Sequence, residues 1–203
     1  MKEGMGTVAI IVAAGVGERT GLGSPKQYVM LGNKAVLAHS YAAFLAHPSI
    51  DRIIVVIGRD QNAMARAALS PVTSEPWLVT GGATRRESVM AALKAIEAEG
   101  GARKGLIHDA ARPFVSLEMI EQLVTALDSN EGAIPALPVP DTLVKYDGVL
   151  GDTVSRDHLY RVQTPQAFLF DVIMTSHRQW PADRDSTDDA QMVRDSGYSV
   201  TVI

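Results

Sequence analysis

The residues best suited to chemistry lie in a glycine-rich segment, residues 13–27, that directly follows an apolar run. Gly15 and Gly17 permit close backbone approach, so successive N–H groups can point into one cavity and hold phosphate oxygens. Arg19 and Lys26 add positive charge to such a cavity. The alternative is a surface loop with solvated bases, but the position of the segment directly after a predicted buried strand favours a phosphate site.

Two familiar phosphate motifs do not fit this segment. A dinucleotide fingerprint needs G-x-G-x-x-G at the start of a helix, but Thr20 replaces the third glycine, and Gly23 and Pro25 would break that helix. A Walker A loop needs Lys followed by Ser or Thr, whereas Lys26 is followed by Gln27. A dinucleotide fingerprint and a Walker A loop are therefore excluded.

Two later clusters could complete a binding site. A glycine pair ending at Gly82 would let a base or ribose approach the backbone, and Arg85 and Ser88 lie three residues apart on the next helical turn. Asp109 can orient a metal ion or a hydroxyl, and Arg112 can bind a phosphate through two hydrogen bonds. The alternatives are a helix start without a ligand and an Asp109–Arg112 ion pair that stabilises a loop.

Other polar positions are expected to be structural. His108 is interpreted as a hydrogen-bonded residue rather than a catalyst. Asp188 and Asp189 are typical of an acidic helix start, where their charges favour the helix dipole.

Apolar runs and helical patterns alternate along the chain and would position these clusters. Strands are predicted at residues 8–12, 52–58, 77–79, 105–108 and 132–137. Helical spacing is found from Val36, from Ser88 and after the N-cap candidate Ser116. This alternation predicts an α/β fold with an open, mostly parallel sheet and helices on both faces. Ligands bind such sheets at the carboxyl ends of the strands, which here are the loops after Val12, Val79, His108 and Leu137.

Residues 138–158 break the alternation. Asp147-Gly148 is a strong hairpin-turn signal between short apolar-polar segments. The pattern predicts a β-hairpin arm that projects from the sheet. Because an isolated hairpin is only marginally stable, we expect this arm to pack against a second copy of the chain.

Length and composition limit the class of protein. The chain has 203 residues, 46% of them hydrophobic and 21% charged, which predicts one globular domain over residues 1–203. A net charge of −4 gives no reason to expect a nucleic-acid partner. The chain has no cysteine, and no apolar run approaches the roughly 20 residues of a membrane span. We expect a cytoplasmic protein without a secretory leader.

Several separated motifs carry a resemblance to a known family. They are residues 13–19, 24–28, 81–89 and 108–113, residues 140–142 with Lys145, then Arg156 and residues 164–166. Together they resemble the 2-C-methyl-D-erythritol 4-phosphate cytidylyltransferases of non-mevalonate isoprenoid biosynthesis, from about Thr7 to Ile203. The resemblance implies a Rossmann-like fold of the nucleotidyltransferase type.

The resemblance also implies a reaction and a set of site residues. The reaction transfers a cytidylyl group from CTP to 2-C-methyl-D-erythritol 4-phosphate, giving 4-diphosphocytidyl-2-C-methyl-D-erythritol and pyrophosphate. Catalytic roles fall to Arg19 and Lys26. Nucleotide contacts fall to Ala13, Ala14, Gly15, Gly17, Gly82, Arg85 and Ser88. The polyol phosphate would lie near Asp109, Arg112 and Thr164, and in a homodimer the arm of the partner subunit would add Thr142 and Arg156.

The chemistry expected of this family needs little proton transfer. The attacking phosphate is already an anion, so positioning and fixed cations would supply most of the catalysis. Mg²⁺ would bridge triphosphate oxygens and keep most of its waters. Its protein ligands are left open.

The sequence departs from the family pattern at its end. The family continues with a segment that carries another lysine and with a final helix, whereas this chain stops at Ser199–Ile203 in a predicted strand. We therefore expect the C-terminal end of the domain to be missing. A truncated chain, part of a longer or fused protein and a naturally short homologue are all consistent with this.

Two other functions stay open on sequence alone. One is a cytidylyltransferase for another polyol phosphate, such as ribitol or glycerol phosphate. The other is a catalytically impaired nucleotide-binding homologue, which the missing segment favours. The preference for cytosine rests on the resemblance rather than on a particular residue.

Overall fold

The computed structural model describes residues 4–15, 25–181, 183–184, 186 and 188–203. Its strands are Met5–Ala13 (β1), Met30–Leu31 (β2), Lys34–Ala35 (β3), Arg52–Ile57 (β4), Trp77–Thr80 (β5), Ala102–Asp109 (β6), Gly132–Ile134 (β7), Ala136–Pro138 (β8), Leu143–Tyr146 (β9), Leu150–Val154 (β10), Tyr160–Val162 (β11), Gln166–Leu169 (β12) and Val200–Val202 (β13). The α-helices are Val36–Leu45 (α1), Asn62–Leu69 (α2), Arg85–Ala98 (α3), Leu117–Ala126 (α4), Phe170–Gln179 (α5) and Asp189–Asp195 (α6). A 3₁₀ turn spans Lys26–Tyr28.

Seven strands form one open sheet in the order β13-β7-β12-β6-β1-β4-β5. All run parallel except β12, which pairs antiparallel with both β6 and β7. The predicted α/β fold class is therefore confirmed. Because of this topology, the carboxyl ends of six strands and the amino end of β12 meet at one edge.

The core has two layers, one on each face of the sheet. Alternate residues of β1 point to opposite faces: Ala9 and Ile11 pack with α1, α2 and α4, whereas Val8 and Ile10 pack with α3, α5 and α6. All four side chains are completely buried. A strand with apolar residues on both faces is what a sheet covered by helices on both sides requires.

One predicted strand is wrong as a single element. The run 132–137 is divided at Pro135 into β7, which belongs to the main sheet, and β8, which pairs antiparallel with β11 outside it. Proline has no N–H to donate to a ladder and so interrupts the pairing. The loop after Leu137 therefore does not follow a strand of the main sheet.

The predicted hairpin arm is confirmed. Strands β9 and β10 pair antiparallel, and Gly148 in their connection has φ +78°, which favours glycine. The arm exposes apolar side chains, with Tyr146, Val149 and Leu150 each about three-quarters accessible (73%, 74% and 76%). No helix of the described residues has both the length and the hydropathy of a membrane span.

Candidate active site

The ends of the central strands lie in one row across the sheet. Val12 of β1 is level with Val56 of β4 and Asp109 of β6, and Val56 is level with Val79 of β5. This places three of the four loops selected from the sequence next to one another. The general rule that ligands bind at the carboxyl ends of parallel strands applies directly to this edge.

The side chain of Gln27 clamps the 3₁₀ turn to the end of β1. Its Nε2 donates to the carbonyl oxygens of Ala13 and Gly15, both at 2.7 Å, and the side chain is 3% exposed. One hydrogen of the amide is thus used on the last residue of β1 and the other on the second residue of the loop that follows. Lys26, the preceding residue, is exposed beside this clamp.

A second anchor holds the other side of the 3₁₀ turn. The Tyr28 hydroxyl donates to Oε1 of Gln61 at 3.0 Å, and the same oxygen accepts from the backbone N–H of Gly58 at 3.1 Å. A Cβ atom on Gly58 would lie 2.8 Å from Cδ of Gln61, so glycine is needed for this contact. Burial raises the pKa of Tyr28 to about 12, so this hydroxyl stays a donor at neutral pH. Lys26 therefore lies on a turn that is fixed to the ends of both β1 and β4.

Two residues of the predicted phosphate site, Gly17 and Arg19, lie outside the described residues. Ala13, Ala14 and Gly15 are described and form the end of β1 and the start of its loop.

The glycine pair before α3 serves close packing of the protein itself. A Cβ on Gly81 would lie 2.5 Å from Oγ of Ser88 and 3.0 Å from Cβ of Ala14, and one on Gly82 would lie 2.4 Å from Cβ of Glu87. The predicted nucleotide residues Ala14 and Ser88 therefore do converge, but Ser88 is only 2% exposed. The glycines thus allow close approach of α3, and close approach of a base or ribose to their backbone stays a prediction.

Helix α3 begins in a full capping box at this point. The Thr84 side chain accepts from the N–H of Glu87 at 3.1 Å, and the Glu87 carboxylate accepts from the N–H of Thr84 at 3.1 Å. Each reciprocal bond satisfies a donor that the helix itself leaves unpaired. The first helical residue, Arg85, is thereby set in a fixed direction.

Arg85 is held by two carboxylates. Its Nη1 lies 2.6 Å from Oδ2 of Asp189, and its Nε lies 3.3 Å from Oδ1 of Asp109. Burial would lower the pKa of Arg85, but the charges of Asp189 and then Asp109 outweigh burial and raise it. The Arg85 guanidinium is thus already paired with Asp189 and Asp109. Its contact with a nucleotide stays a prediction.

The Asp109–Arg112 ion pair, one of the two sequence interpretations, is present. Nε of Arg112 lies 3.6 Å from Oδ2 of Asp109, and Nη1 of Arg112 donates to Oε1 of Gln163. Both side chains keep substantial exposure, 34% for Asp109 and 46% for Arg112. An exposed pair of this kind contributes little to stability, so it leaves both groups available to a ligand.

A chain of three hydrogen bonds joins Thr164 to this cluster. The N–H of Asp109 donates to Oγ1 of Thr164 at 3.3 Å, Oγ1 lies 3.1 Å from Nδ1 of His108, and Nε2 of His108 lies 2.9 Å from the carbonyl of Arg112. Since a carbonyl only accepts, Nε2 carries the proton, and Nδ1 accepts from the threonine hydroxyl. Burial lowers the pKa of His108 to about 4, although the hydrogen bond to the Arg112 carbonyl acts in the opposite direction. His108 is therefore the structural residue that the sequence predicted.

The antiparallel strand β12 explains why Thr164 reaches this cluster. Thr164 stands just before β12, at the edge where the parallel strands end, and the Thr164–Pro165 peptide bond is cis. Thr142 and Arg156, in contrast, lie exposed on the arm, where Arg156 donates to the carbonyl of Pro140. Three of the five predicted substrate residues are thus brought together within one chain.

A cavity of about 360 Å³ opens beside the cluster. His108, Arg112 and Thr164 contribute its polar wall, and Phe114 and Leu137 contribute apolar surface. Two of the predicted acceptor residues, Arg112 and Thr164, therefore border an open cavity.

Sequence reasoning missed two features that fix the site. Gln27 was part of a motif but had no assigned role, and Asp189 was interpreted only as a helix start. Asp188 does provide the cap, because its carboxylate accepts from the N–H of Gln191 at 2.7 Å. Asp189 instead points inward to Arg85, so the dipole interpretation of Asp189 is incomplete.

The described residues contain no cluster of three or more histidine and acidic side chains that would hold a metal ion. A Mg²⁺ that arrives on triphosphate oxygens keeps several waters and needs only one or two carboxylates. Asp109, partly exposed at the strand ends, fits that limited requirement.

Comparisons with known proteins agree with this geometry. The family model described as 2-C-methyl-D-erythritol 4-phosphate cytidylyltransferase matches residues 7–203. A protein of that name from Cereibacter sphaeroides is 43% identical over 201 residues, which cover 98% of this chain and 88% of the relative. The crystal structure of 4-diphosphocytidyl-2C-methyl-D-erythritol synthase from Anaerococcus prevotii superposes with a TM-score of 0.82 at 28% identity, covering 98% of this chain and 86% of that one.

Other relatives are longer. A bifunctional enzyme IspD/IspF from Rhizorhabdus wittichii is 52% identical over 195 residues, which cover 96% of this chain and 50% of the relative. The chain thus spans about half the length of the bifunctional relatives that it matches.

We predict that His108 makes the protein less stable in acid. Its pKa is about 4 when folded and about 6.5 when unfolded, so the unfolded chain binds the extra proton first and stability falls as the pH drops below 6.5. This single group should cost about 2 kcal/mol between pH 7 and pH 5. Urea unfolding over this pH range should show a flatter dependence for His108→Gln than for the wild type. An equally steep dependence in the variant would contradict the assignment.

Proposed function

Since this chain belongs to the 2-C-methyl-D-erythritol 4-phosphate cytidylyltransferase family, we propose that it transfers a cytidylyl group from CTP to 2-C-methyl-D-erythritol 4-phosphate. The products are 4-diphosphocytidyl-2-C-methyl-D-erythritol and pyrophosphate. We place the reaction in the cytoplasm, in a single nucleotidyltransferase domain over residues 1–203. The observation that carries the proposal is the anchored turn that holds Lys26 at the end of β1, on the same edge as Asp109, Arg112 and Thr164.

The reaction is a substitution at the α-phosphorus of CTP. A phosphate oxygen of the acceptor forms the new P–O bond, and the bond to the β-phosphate oxygen breaks with its electron pair leaving on pyrophosphate. The nucleophile is already ionised, so no general base is required. The barrier arises from bringing anions together, and preorganised cations are the means of lowering it.

Lys26 and Arg19 take the cationic role in this proposal. Lys26 stabilises the α-phosphate and the departing pyrophosphate, because a turn fixed by Gln27 and Tyr28 spends no energy on reorganisation during the reaction. Backbone N–H groups near Gly15 and Gly17 assist at the phosphates.

The remaining nucleotide contacts surround the start of α3. We assign Ala13 and Ala14 to the nucleotide on the β1 side, and Gly82 and Ser88 on the α3 side. Arg85, held by its ion pairs, is assigned to the nucleotide beside them.

The acceptor phosphate binds on the β6 side. Arg112 offers a planar donor pair suited to phosphate, and Asp109 and Thr164 offer polar atoms for hydroxyl groups. When Mg²⁺ is bound, it neutralises the triphosphate and makes pyrophosphate a better leaving group. Asp109 is the residue of this chain that would contact the ion or its waters.

We further propose a homodimer in which the arm completes the partner's site. The exposed apolar side chains Tyr146, Val149 and Leu150 would lose contact with water at such an interface. The exposed Thr142 and Arg156 on the same arm would then bind the acceptor phosphate of the partner.

Replacement of Lys26 tests the catalytic assignment. We expect Lys26→Ala to lower kcat at saturating CTP by about 10²–10³-fold, with an unchanged melting temperature because the side chain is exposed. Pyrophosphate release with CTP, Mg²⁺ and 2-C-methyl-D-erythritol 4-phosphate is the measurement, with ribitol and glycerol phosphates as competing acceptors. Lys94→Ala, at an exposed lysine on α3, is the matched control. Wild-type turnover in Lys26→Ala would refute the role.

Mixing two inactive variants tests the arm. If Arg156 acts on the partner's site, Lys26→Ala and Arg156→Ala place their defects in the same site of a mixed dimer and leave the other site intact. Mixed subunits should then recover about a quarter of wild-type activity, as random pairing in a two-fold dimer predicts. If Arg156 acts within its own chain, mixing restores nothing. Sedimentation should show dimers for both variants.

A further inference from the structure

Asp189 is the only acidic residue, among those the structure describes, whose side chain is fully buried. It is the first residue of α6, but the helix start does not require it. Asp188 caps the helix, and Oε1 of Gln166 accepts from the N–H of Ala190 at 3.1 Å. The Asp189 side chain is therefore directed by a different requirement.

That requirement is a pair of donors, one on a partly buried arginine and one on a fully buried histidine. Oδ2 of Asp189 lies 2.6 Å from Nη1 of Arg85, and Oδ1 lies 2.9 Å from Nε2 of His177, whose side chain is also fully buried. Burial alone would raise the pKa of Asp189, but the charge of Arg85 and the hydrogen bond from His177 outweigh it and lower the pKa. The carboxylate is thus ionised and accepts from both.

The histidine of this group donates to Asp189 through one ring nitrogen only. An ionised carboxylate can only accept, so Nε2 of His177 carries the proton. Nδ1 of His177 is buried without a hydrogen-bond partner, and a proton there would be an unsatisfied buried donor. Arg85 places a full positive charge against the other oxygen of Asp189.

The guanidinium of Arg85 transmits this constraint to the strand ends. It is planar and rigid, so fixing Nη1 on Asp189 also fixes Nε, which lies 3.3 Å from Asp109. The other oxygen of Asp109 meets Arg112. Charges of alternating sign thus run from Asp189 through Arg85 and Asp109 to Arg112, and we name these four residues the ion-pair chain.

Exposure rises along the ion-pair chain while the contacts lengthen. The side chains are 0%, 29%, 34% and 46% exposed in this order, and the successive N–O distances are 2.6, 3.3 and 3.6 Å. The inner end is held firmly because a buried pair that loses one partner costs several kcal/mol. The outer end keeps enough freedom to engage a ligand.

We infer that Asp189 is a positioning residue for the acceptor side of the site, with His177 holding its second oxygen. It fixes the Arg85 guanidinium, and Arg85 in turn fixes the Asp109 carboxylate beside Arg112 and Thr164. The identity of the acceptor as a phosphorylated polyol rests on the proposed function. The positioning itself rests only on the geometry of the ion-pair chain.

Loss of the Asp189 charge should misplace Asp109. In Asp189→Asn, Arg85 keeps Asp109 as its remaining counterion, so the guanidinium turns toward it and displaces its carboxylate. A displacement of about 1 Å near reacting groups costs on the order of 10²-fold in rate. We expect this loss in kcat/KM for the polyol phosphate. CTP affinity measured by calorimetry should fall by a clearly smaller factor, because Arg85 and Asp109 also serve the nucleotide in the proposed site. Equal losses for both substrates, or none, would contradict the positioning role.

Two matched controls distinguish a positioning role of Asp189 from a general disturbance of the structure around α6. Asp188→Asn retains a good N-cap at the neighbouring residue and should keep wild-type kinetics. His177→Gln retains a donor toward Asp189, whereas His177→Phe does not, so the glutamine variant should be the closer of the two to the wild type. The reverse order would contradict a role for His177 through Asp189.

Stability is controlled with a combined variant. Arg85→Met and Asp189→Leu, combined with His177→Phe so that no buried donor loses its acceptor, remove the ion pair without leaving a lone charge, and such replacements are often neutral in stability. The account predicts a folded protein that still loses kcat/KM for the polyol phosphate, because Asp109 has lost Arg85. Wild-type kinetics in this folded variant would overturn the inference.

An observation without substrates tests the same inference independently of activity. In the wild type and in Asp188→Asn, the Arg85 Nη1–H that faces Asp189 should give a ¹⁵N NMR signal that exchanges slowly with water. In Asp189→Asn this signal should exchange faster or broaden. An unchanged Arg85 signal would overturn the inference. An inactive wild-type chain would contradict only the proposed function, since the Arg85 signal would still decide whether Asp189 fixes this guanidinium.

Discussion

The two hydrogen bonds from Gln27 to the carbonyls of Ala13 and Gly15 are the constraint on which the proposed chemistry depends. They join the end of the central strand to the turn that carries Lys26. A mobile lysine would have to be ordered against its own entropy in every catalytic cycle. Because the turn is anchored through Gln27 and Tyr28, the backbone of Lys26 is already fixed, and only its side chain has to be ordered against a triphosphate.

On the acceptor side, the polar groups are likewise fixed in advance, but by ion pairs rather than by the hydrogen bonds of an amide side chain. One antiparallel strand, β12, brings Thr164 to the edge where the parallel strands end, and the chain from Asp189 to Arg112 sets the carboxylate and guanidinium beside it. Because the four charges of the ion-pair chain sum to zero, the ion-pair chain itself adds no net charge to this edge. The two halves of the site are thus fixed from opposite faces: the Lys26 turn contacts α1, and Asp189 lies at the start of α6.

The sequence predicts the sheet well because apolar periodicity reports which residues are buried. Local patterns predict four features of the fold. These are the first strand, three of the loops at the strand ends, the helix capped by Ser116 and the arm with its turn at Gly148. Pro135 is a local signal too, because proline cannot donate to a strand ladder, but the apolar pattern alone predicts one strand over 132–137 where the structure has two. Asp189 and Arg85 could not be paired in advance, because they are 104 residues apart and both are typical of ordinary helix starts. An ion pair between residues so far apart in the chain produces no periodic pattern in the sequence from which it could be predicted.

A crystal structure of this protein with CTP and Mg²⁺ tests the central claim most directly. The account predicts that the Lys26 ammonium lies within hydrogen-bond distance of a triphosphate oxygen, with the Gln27 amide still bonded to the Ala13 and Gly15 carbonyls. A triphosphate bound elsewhere, with Lys26 turned into bulk water, would contradict it.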